Sequence, residues 1–264
     1  AGDGRFFVTS TSGGADAMEA WLRSWADRLG LHVHLVNQTA LLGAILLAGP
    51  RAREVLRSLT SEDVSRGAFP YMAVRDLYVA GVQCRALRVG FVGELGYELH
   101  HPRRSGPALW RALTEAGAAY GMRPHGLDAM DLLRLEKGHF FLAQDTLPDD
   151  HPRKLGMEWA VDMEKQSFVG KAALQRMAAL PLERKLVGLE FDHEPERGAP
   201  LLLGERIVGR VTSCSWSDVL GKAIGLGWLR AVDGRFATRL RCGDTQATVV
   251  ETPFYDPEGR RLRA

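Results

Sequence analysis

Residues 90–98 read GFVGELGYE, and this glycine-rich stretch decides between the fold classes open to the chain. Its three glycines invite comparison with the phosphate loop of a dinucleotide-binding fold. Their spacing is wrong for that loop, and the residues after them form a strand, where a dinucleotide fold needs a helix. A doubly wound sheet is therefore excluded. The stretch is predicted to be a turn that presents two carboxylates, Glu94 and Glu98.

The two carboxylates allow a specific kind of recognition. A fixed carboxylate accepts two parallel hydrogen bonds, so it matches the adjacent N–H and NH₂ groups of a pterin or guanine-like ring. The alternative is that Glu94 and Glu98 are solvated turn residues. The motif alone leaves both interpretations open.

Around this turn, helical and extended patterns alternate. Apolar residues at intervals of three and four predict an amphipathic helix from Ala17 that ends at Gly30. The other elements predicted for this part are strands at 6–10, 32–36, 41–48, 75–80, 83–89 and 97–100, and helices from Pro50, at 105–120 and at 126–137. This order predicts an α+β fold in which sheet and helices pack face to face.

The pattern changes after about Leu180. Short extended runs at 186–191, 200–203, 207–212, 223–229, 237–241 and 245–251 are separated by Gly, Asp and Pro, with no helical period. Such spacing is typical of a small antiparallel barrel or sandwich. We therefore predict two domains, at residues 1–180 and 181–264.

Composition narrows the function further. The 264 residues carry a net charge of +2 with dispersed arginines, which argues against a nucleic-acid surface. Because no run of about 18 apolar residues occurs, no membrane-spanning helix is expected. Cys84, Cys214 and Cys242 are few and widely spaced, and no signal peptide is recognised, so we expect reduced thiols in a cytoplasmic protein.

The helix at 126–137 carries a second candidate. Arg134 follows Asp131 by three residues, so the two can pair along one face, and a structural ion pair is the alternative to a ligand-binding role. The eight histidines show no metal-ligand spacing, so no metal site is predicted. Serine or cysteine nucleophile motifs are also missing, and no catalytic residue is assigned.

Six landmarks in order resemble the tetrahydrofolate-dependent aminomethyltransferase (glycine cleavage T-protein) family over nearly the whole chain. They are residues 93–98, 133–138, 144–145, 168–171, 209–213 and 253–257. Within the family, residues 69–76 and 133–145 look most similar to the C-terminal part of the sarcosine oxidase alpha subunit.

The resemblance implies a folate-binding aminomethyltransferase-type region, here partial, followed by a small C-terminal antiparallel β-barrel. It implies tetrahydrofolate as cofactor and gives Glu98 the role of holding the pterin ring. The candidate cofactor-binding residues are Glu98, Glu94, Arg134 and Tyr255.

Two departures from the family bear on activity. Met130 stands where the glycine cleavage T-protein has a folate-contacting arginine, which favours the sarcosine or dimethylglycine oxidation branch. The family also has an upstream segment with an aspartate near the reacting folate nitrogen. Because this segment is missing from the sequence, we expect a truncated homologue or a fragment with weak folate binding and little activity alone.

The leading hypothesis is a one-carbon transfer domain, in which tetrahydrofolate takes up the methylene group of a methylamine-derived iminium produced by amine oxidase subunits. The alternatives are a non-catalytic folate-binding or assembly module, or a fragment of a larger sarcosine oxidase-like enzyme. A folate-dependent factor for iron–sulfur and RNA modification pathways shares the fold. It is disfavoured because residues 137–141 lack that relative's cysteine.

Overall fold

The computed structural model describes residues 4–264 and divides them into two contact units. The first unit runs to Gly90 and also includes Glu94–Arg123 and Leu262–Ala264. The second comprises Phe91–Gly93 and Pro124–Arg261. The division near residue 180 that the sequence suggests stays a prediction.

The first unit is a four-stranded antiparallel sheet with helices. Its strands follow the order β1-β4-β3-β2. The elements are α1 (Ala15–Arg28), β1 (Leu42–Ala48), α2 (Ala52–Ser58), β2 (Val74–Val79), β3 (Val82–Leu87), β4 (Gly96–Pro102) and α3 (Gly106–Ala118). Ala80 and Gly81, both with positive φ (48° and 77°), form the two-residue turn between β2 and β3. The predicted hairpin is thus confirmed.

One face of this sheet forms the core of the first unit. Alternate residues of each strand point to the same face. The buried cluster contains Leu77, Val79, Cys84, Ala86, Tyr97 and Leu99 from the sheet, with Val55 and Leu56 of α2 and Leu109 and Leu113 of α3. Burying this apolar surface is the main source of stability of the unit.

Of three elements predicted near the start of the chain, the helix is present and the two strands are not. The helix predicted from Ala17 is confirmed as α1. The strands predicted at 6–10 and 32–36 are wrong, because both segments lack strand hydrogen bonding. Phe7 instead makes ring contacts, with the Arg85 guanidinium 4.9 Å and the His100 ring 5.5 Å from its centroid.

The second unit contains a closed six-stranded antiparallel barrel, which confirms the barrel prediction. Its strand order is β10-β5-β8-β7-β6-β9. The elements of the unit are α4 (Leu127–Glu136), α5 (Lys171–Ala178), β5 (Arg184–Phe191), β6 (Pro200–Leu203), β7 (Arg206–Ser217), β8 (Lys222–Arg230), β9 (Arg239–Cys242) and β10 (Thr245–Val250). Closure leaves the barrel without open sheet edges.

The barrel strands approach closely where glycine occurs. A Cβ atom at Gly209 would lie 2.1 Å from the Trp228 carbonyl oxygen, so any other residue would force β7 and β8 apart. Inside, Leu189, Leu201, Leu229 and Leu240 belong to one buried cluster. No helix in the described part of the chain is long and apolar enough to cross a membrane.

The three thiols provide a test of the packing. Burial raises the pKa of Cys84 and Cys214 to about 11 and also raises the pKa of Cys242. Since the thiolate is the reactive form, we predict that iodoacetamide at pH 8 labels the native protein far more slowly than a free thiol. Mass spectrometry after timed labelling measures this, with guanidinium-unfolded protein as the control. Rapid native labelling of Cys84 would contradict the buried position on β3.

Candidate functional site

Glu98 lies on the face of β4 opposite to the core. Tyr97 and Leu99 are fully buried, whereas the Glu98 side chain is 35% exposed, as strand alternation requires. Its Oε2 atom is 3.3 Å from Nε2 of His100, which shares its face. Its Oε1 atom accepts no hydrogen bond from the described residues. The carboxylate is thus held on one side and can accept a further donor on the other.

Leu46 and Leu87 are the cross-strand partners of Glu98 on this face, and polar and aromatic groups lie beside them. Arg85 donates two hydrogen bonds to Asp76, at 2.8 and 2.9 Å. These bonds lower the pKa of Asp76 and raise that of Arg85, so the pair is ionised at neutral pH. Phe7 lies over Arg85 and against His100. The open sheet face therefore combines a carboxylate, an imidazole, an ion pair and an aromatic ring.

The other predicted site residues have separate surroundings. Glu94 is partly buried in the bend before β4. Tyr255 belongs to the second unit, where its backbone N–H donates to the Glu136 carbonyl at 2.9 Å and its hydroxyl accepts from Arg261 at 3.2 Å. The structure therefore does not place all four predicted residues in one unit, and their binding roles stay predictions.

Arg134 is enclosed in the second unit. Its side chain is 0% exposed, and all three guanidinium nitrogens donate hydrogen bonds. Nε and Nη2 reach Asp131, Nη1 reaches the His139 carbonyl and Asp145, and Nη2 also reaches Ser213. These contacts match the alternative of a structural ion pair.

Asp145 is the centre of this buried network, and sequence reasoning missed its role. Its Oδ1 accepts from the hydroxyls of Thr212 and Ser213, both at 2.6 Å. Its Oδ2 accepts from Arg134 at 2.9 Å and from the Phe141 backbone at 2.7 Å, and its carbonyl accepts from Trp228. The sequence marked Asp145 only as part of the landmark at 144–145, because its partners on the barrel are about seventy residues away along the chain.

The described residues also bear on metal and nucleophile chemistry. Within residues 4–264, no group of three His, Cys, Asp or Glu side chains is placed to hold a metal ion. All three thiols have raised pKa values, which makes them poor nucleophiles at neutral pH.

Two protein-family models match this chain, one in each of its two parts. The family model described as the GCVT N-terminal domain matches residues 1–165. The one described as the glycine cleavage T-protein C-terminal barrel domain matches residues 184–256.

Individual proteins similar to this chain support the same family. An aminomethyltransferase of Symbiobacterium thermophilum is 33% identical over 97% of this chain and 71% of that protein. The mitochondrial dimethylglycine dehydrogenase of Homo sapiens is 32% identical over 98% of this chain, which spans only 31% of that protein. The crystal structure of aminomethyltransferase T from Bartonella henselae has a TM-score of 0.75 and 26% identity, covering 93% of this chain and 67% of that one.

These matches define an aminomethyltransferase-type domain of a folate-dependent class. The chain belongs to the glycine cleavage T-protein family, as its sequence landmarks indicated. The finer similarity to the sarcosine oxidase alpha subunit stays a prediction, since aminomethyltransferases and dimethylglycine dehydrogenases match about equally well.

The buried ion pair of Arg134 and Asp145 predicts that a conservative substitution of Asp145 strongly lowers the free energy of unfolding. Asp145→Asn keeps the shape of the side chain but leaves the Arg134 charge without its fully buried partner. Breaking one member of such a pair costs about 3–5 kcal/mol of unfolding free energy. Urea unfolding followed by tryptophan fluorescence measures this change.

The matched control is Asp76→Asn, which removes an exposed arginine pair on β2 and should cost less than about 1 kcal/mol. Equal losses for the two variants would show that the Arg134–Asp145 pair does not hold the second unit together.

His139 predicts how stability depends on pH. Burial lowers its pKa, although its hydrogen bond to the Phe91 carbonyl at 2.8 Å acts the other way. Below pH of about 6.5 the unfolded chain takes up a proton that folded His139 resists, so stability falls as the pH drops. We expect the melting temperature of His139→Asn to fall less than that of wild type when the pH is lowered from 7.5 to 5.5.

The exposed His125 provides the control for this pH effect. His125→Asn should keep the wild-type pH slope. If His139→Asn shows the same dependence of melting temperature on pH as wild type, His139 is not the cause of the pH effect.

Proposed function

We propose that this chain binds tetrahydrofolate on the open face of its four-stranded sheet and takes part in one-carbon transfer. The observation that carries the proposal is the position of Glu98, a carboxylate fixed on β4, outside the core and next to His100. Membership of the T-protein family supports it independently.

The surroundings of Glu98 suit a flat, hydrogen-bonding ring. A pterin presents adjacent N–H donors in one plane, which a carboxylate accepts as a pair. The His100 contact restricts rotation of the carboxylate, so less conformational freedom is lost on binding. Phe7 provides an aromatic surface on the same face.

Tetrahydrofolate, when bound, supplies the nucleophilic nitrogen that accepts the one-carbon unit. The residues of this chain contribute binding and orientation: Glu98 holds the ring edge, and His100 fixes the carboxylate. Such positioning is the principal catalytic contribution that this chain makes to a reaction between two bound partners.

We infer that the one-carbon unit comes from a methylated amine, as an iminium formed by an amine-oxidising protein. The similarity to dimethylglycine dehydrogenase supports this source, because that relative includes a region of this kind within a longer chain. Met130 on α4, in place of the arginine expected for a glycine cleavage T-protein, also favours it. Three free cysteines suit a reducing compartment such as the cytoplasm.

The proposal predicts that Glu98→Gln weakens tetrahydrofolate binding about ten- to a hundredfold. The amide keeps the shape but loses the charge and one of the two acceptors, and hydrogen bonds to charged groups contribute about 1.5–3 kcal/mol each. Calorimetric titration of tetrahydrofolate into both proteins measures the difference.

Glu54→Gln on α2 is the matched control, since its ion pair with Arg51 lies outside the open sheet face, and binding should not change. Equal affinity of wild type and Glu98→Gln would remove Glu98 from the folate site. A formaldehyde-trapping assay with an added amine oxidase then tests transfer, and turnover that does not require tetrahydrofolate would refute the proposed reaction.

A further inference from the structure

Arg88 follows β3 and is buried to 1% exposure in the first unit. Its guanidinium reaches the last residues of the chain, with Nη1 donating to the Leu262 carbonyl at 3.1 Å and Nη2 donating to the Ala264 carbonyl oxygen at 2.8 Å. The same Ala264 oxygen accepts a hydrogen bond of 2.7 Å from Nη2 of Arg53 on α2. One oxygen atom thus bridges two guanidinium groups.

Leu262 holds this segment in place. It is 6% exposed, and a Cβ atom at Gly90 would lie 2.6 Å from its Cδ1 atom. Glycine at position 90 therefore leaves just the space that the leucine side chain fills. The position of the Ala264 oxygen depends on this packing as well as on the two arginines.

The two arginines lack a compensating charge from side chains. No Asp or Glu side chain of the described residues forms an ion pair with Arg53 or Arg88. Burial lowers the pKa of Arg88, and the nearby Arg53 charge lowers it further, while Tyr97 acts in the opposite direction. A buried positive charge without a negatively charged partner is unfavourable.

The same side chains hold two donors without a partner. The Nε atoms of Arg53 and Arg88 are buried and have no hydrogen-bond partner within the part of the chain that the structure describes. The Tyr97 hydroxyl is also buried, and its interaction with Arg88 raises the pKa of that arginine. The Arg88 guanidinium carbon is 5.3 Å from the centre of the Tyr97 ring. Unpaired buried donors next to two cationic groups call for an anionic acceptor.

We propose that Arg53, Arg88 and Tyr97 form a carboxylate-binding site in the first unit. A carboxylate matches the planar, paired donors of a guanidinium group, and the bridging Ala264 oxygen marks where one of its oxygens binds. The carboxylate comes either from a main chain that ends at Ala264 or from a small free organic acid. Because Tyr97 and Glu98 point to opposite faces of β4, this site does not share the face of Glu98.

Thermal unfolding of four proteins separates the two sources. They are the 264-residue chain, the same chain with Gly-Ser-Gly added after Ala264, Arg53→Met, and Arg53→Met with that extension. Each is measured in sodium formate and in sodium chloride of equal ionic strength. Arg57→Met, an exposed position on the same helix, is the control for loss of an α2 arginine.

If the chain end provides the carboxylate, the extension lowers the melting temperature by about 3–10 °C in wild type and much less in Arg53→Met. In that case formate raises the melting temperature of the extended wild type only. If a free acid is the ligand, formate stabilises wild type with or without the extension but not Arg53→Met.

Both patterns support the site, provided that Arg57→Met behaves like wild type. The proposal fails if the extension and formate shift the melting temperatures of wild type and Arg53→Met by equal amounts. It also fails if neither the extension nor formate changes the melting temperature of wild type. Because the extended wild type keeps every arginine, this arm remains informative even if Arg53→Met does not fold.

Discussion

The second unit depends on the burial of one carboxylate, that of Asp145. Ionised groups are tolerated at full burial only when their hydrogen-bonding capacity is used. Asp145 receives donors from α4 through Arg134, from its own loop through the Phe141 backbone, and from β7 through Thr212 and Ser213. Moving any of these elements would leave a charge unpaired, so the network fixes the place of α4 and its loop against the barrel.

The first unit depends on strand alternation in β4. Tyr97 and Leu99 are completely buried in the core, while Glu98 and His100 lie on the opposite face with partial exposure. The same strand thereby provides the hydrophobic anchor of the sheet and the polar groups of the proposed folate site. A shift of one residue in its pairing would exchange the two sets.

Most of the secondary structure followed from local patterns. The hairpin at Ala80 and Gly81 and all six barrel strands were predicted because turn residues and alternation are local signals. The strands expected at 6–10 and 32–36 were wrong, since an apolar run does not specify a partner strand. In α1 the spacing gave the helix correctly, but Trp21 stays 56% exposed, so periodicity predicted the element and not its burial. In the site, the pair of Asp131 with Arg134 was predictable from their spacing of three, whereas Asp145 and Ser213 meet through tertiary packing alone.

The glycine-rich turn connects these observations. A Cβ atom at Gly90 would lie 2.5 Å from the Glu94 carbonyl oxygen, and one at Gly96 would lie 2.8 Å from the Val89 carbonyl oxygen. The glycines are therefore needed for close backbone approach at the entrance to β4, and a phosphate ligand is not required to explain them. Because Gly96 pairs with Ala48 at the end of β1, this tight turn sets the register of β4. The turn thus determines that Tyr97 enters the core, beside Arg88, and that Glu98 faces outward as the proposed ligand for the pterin ring.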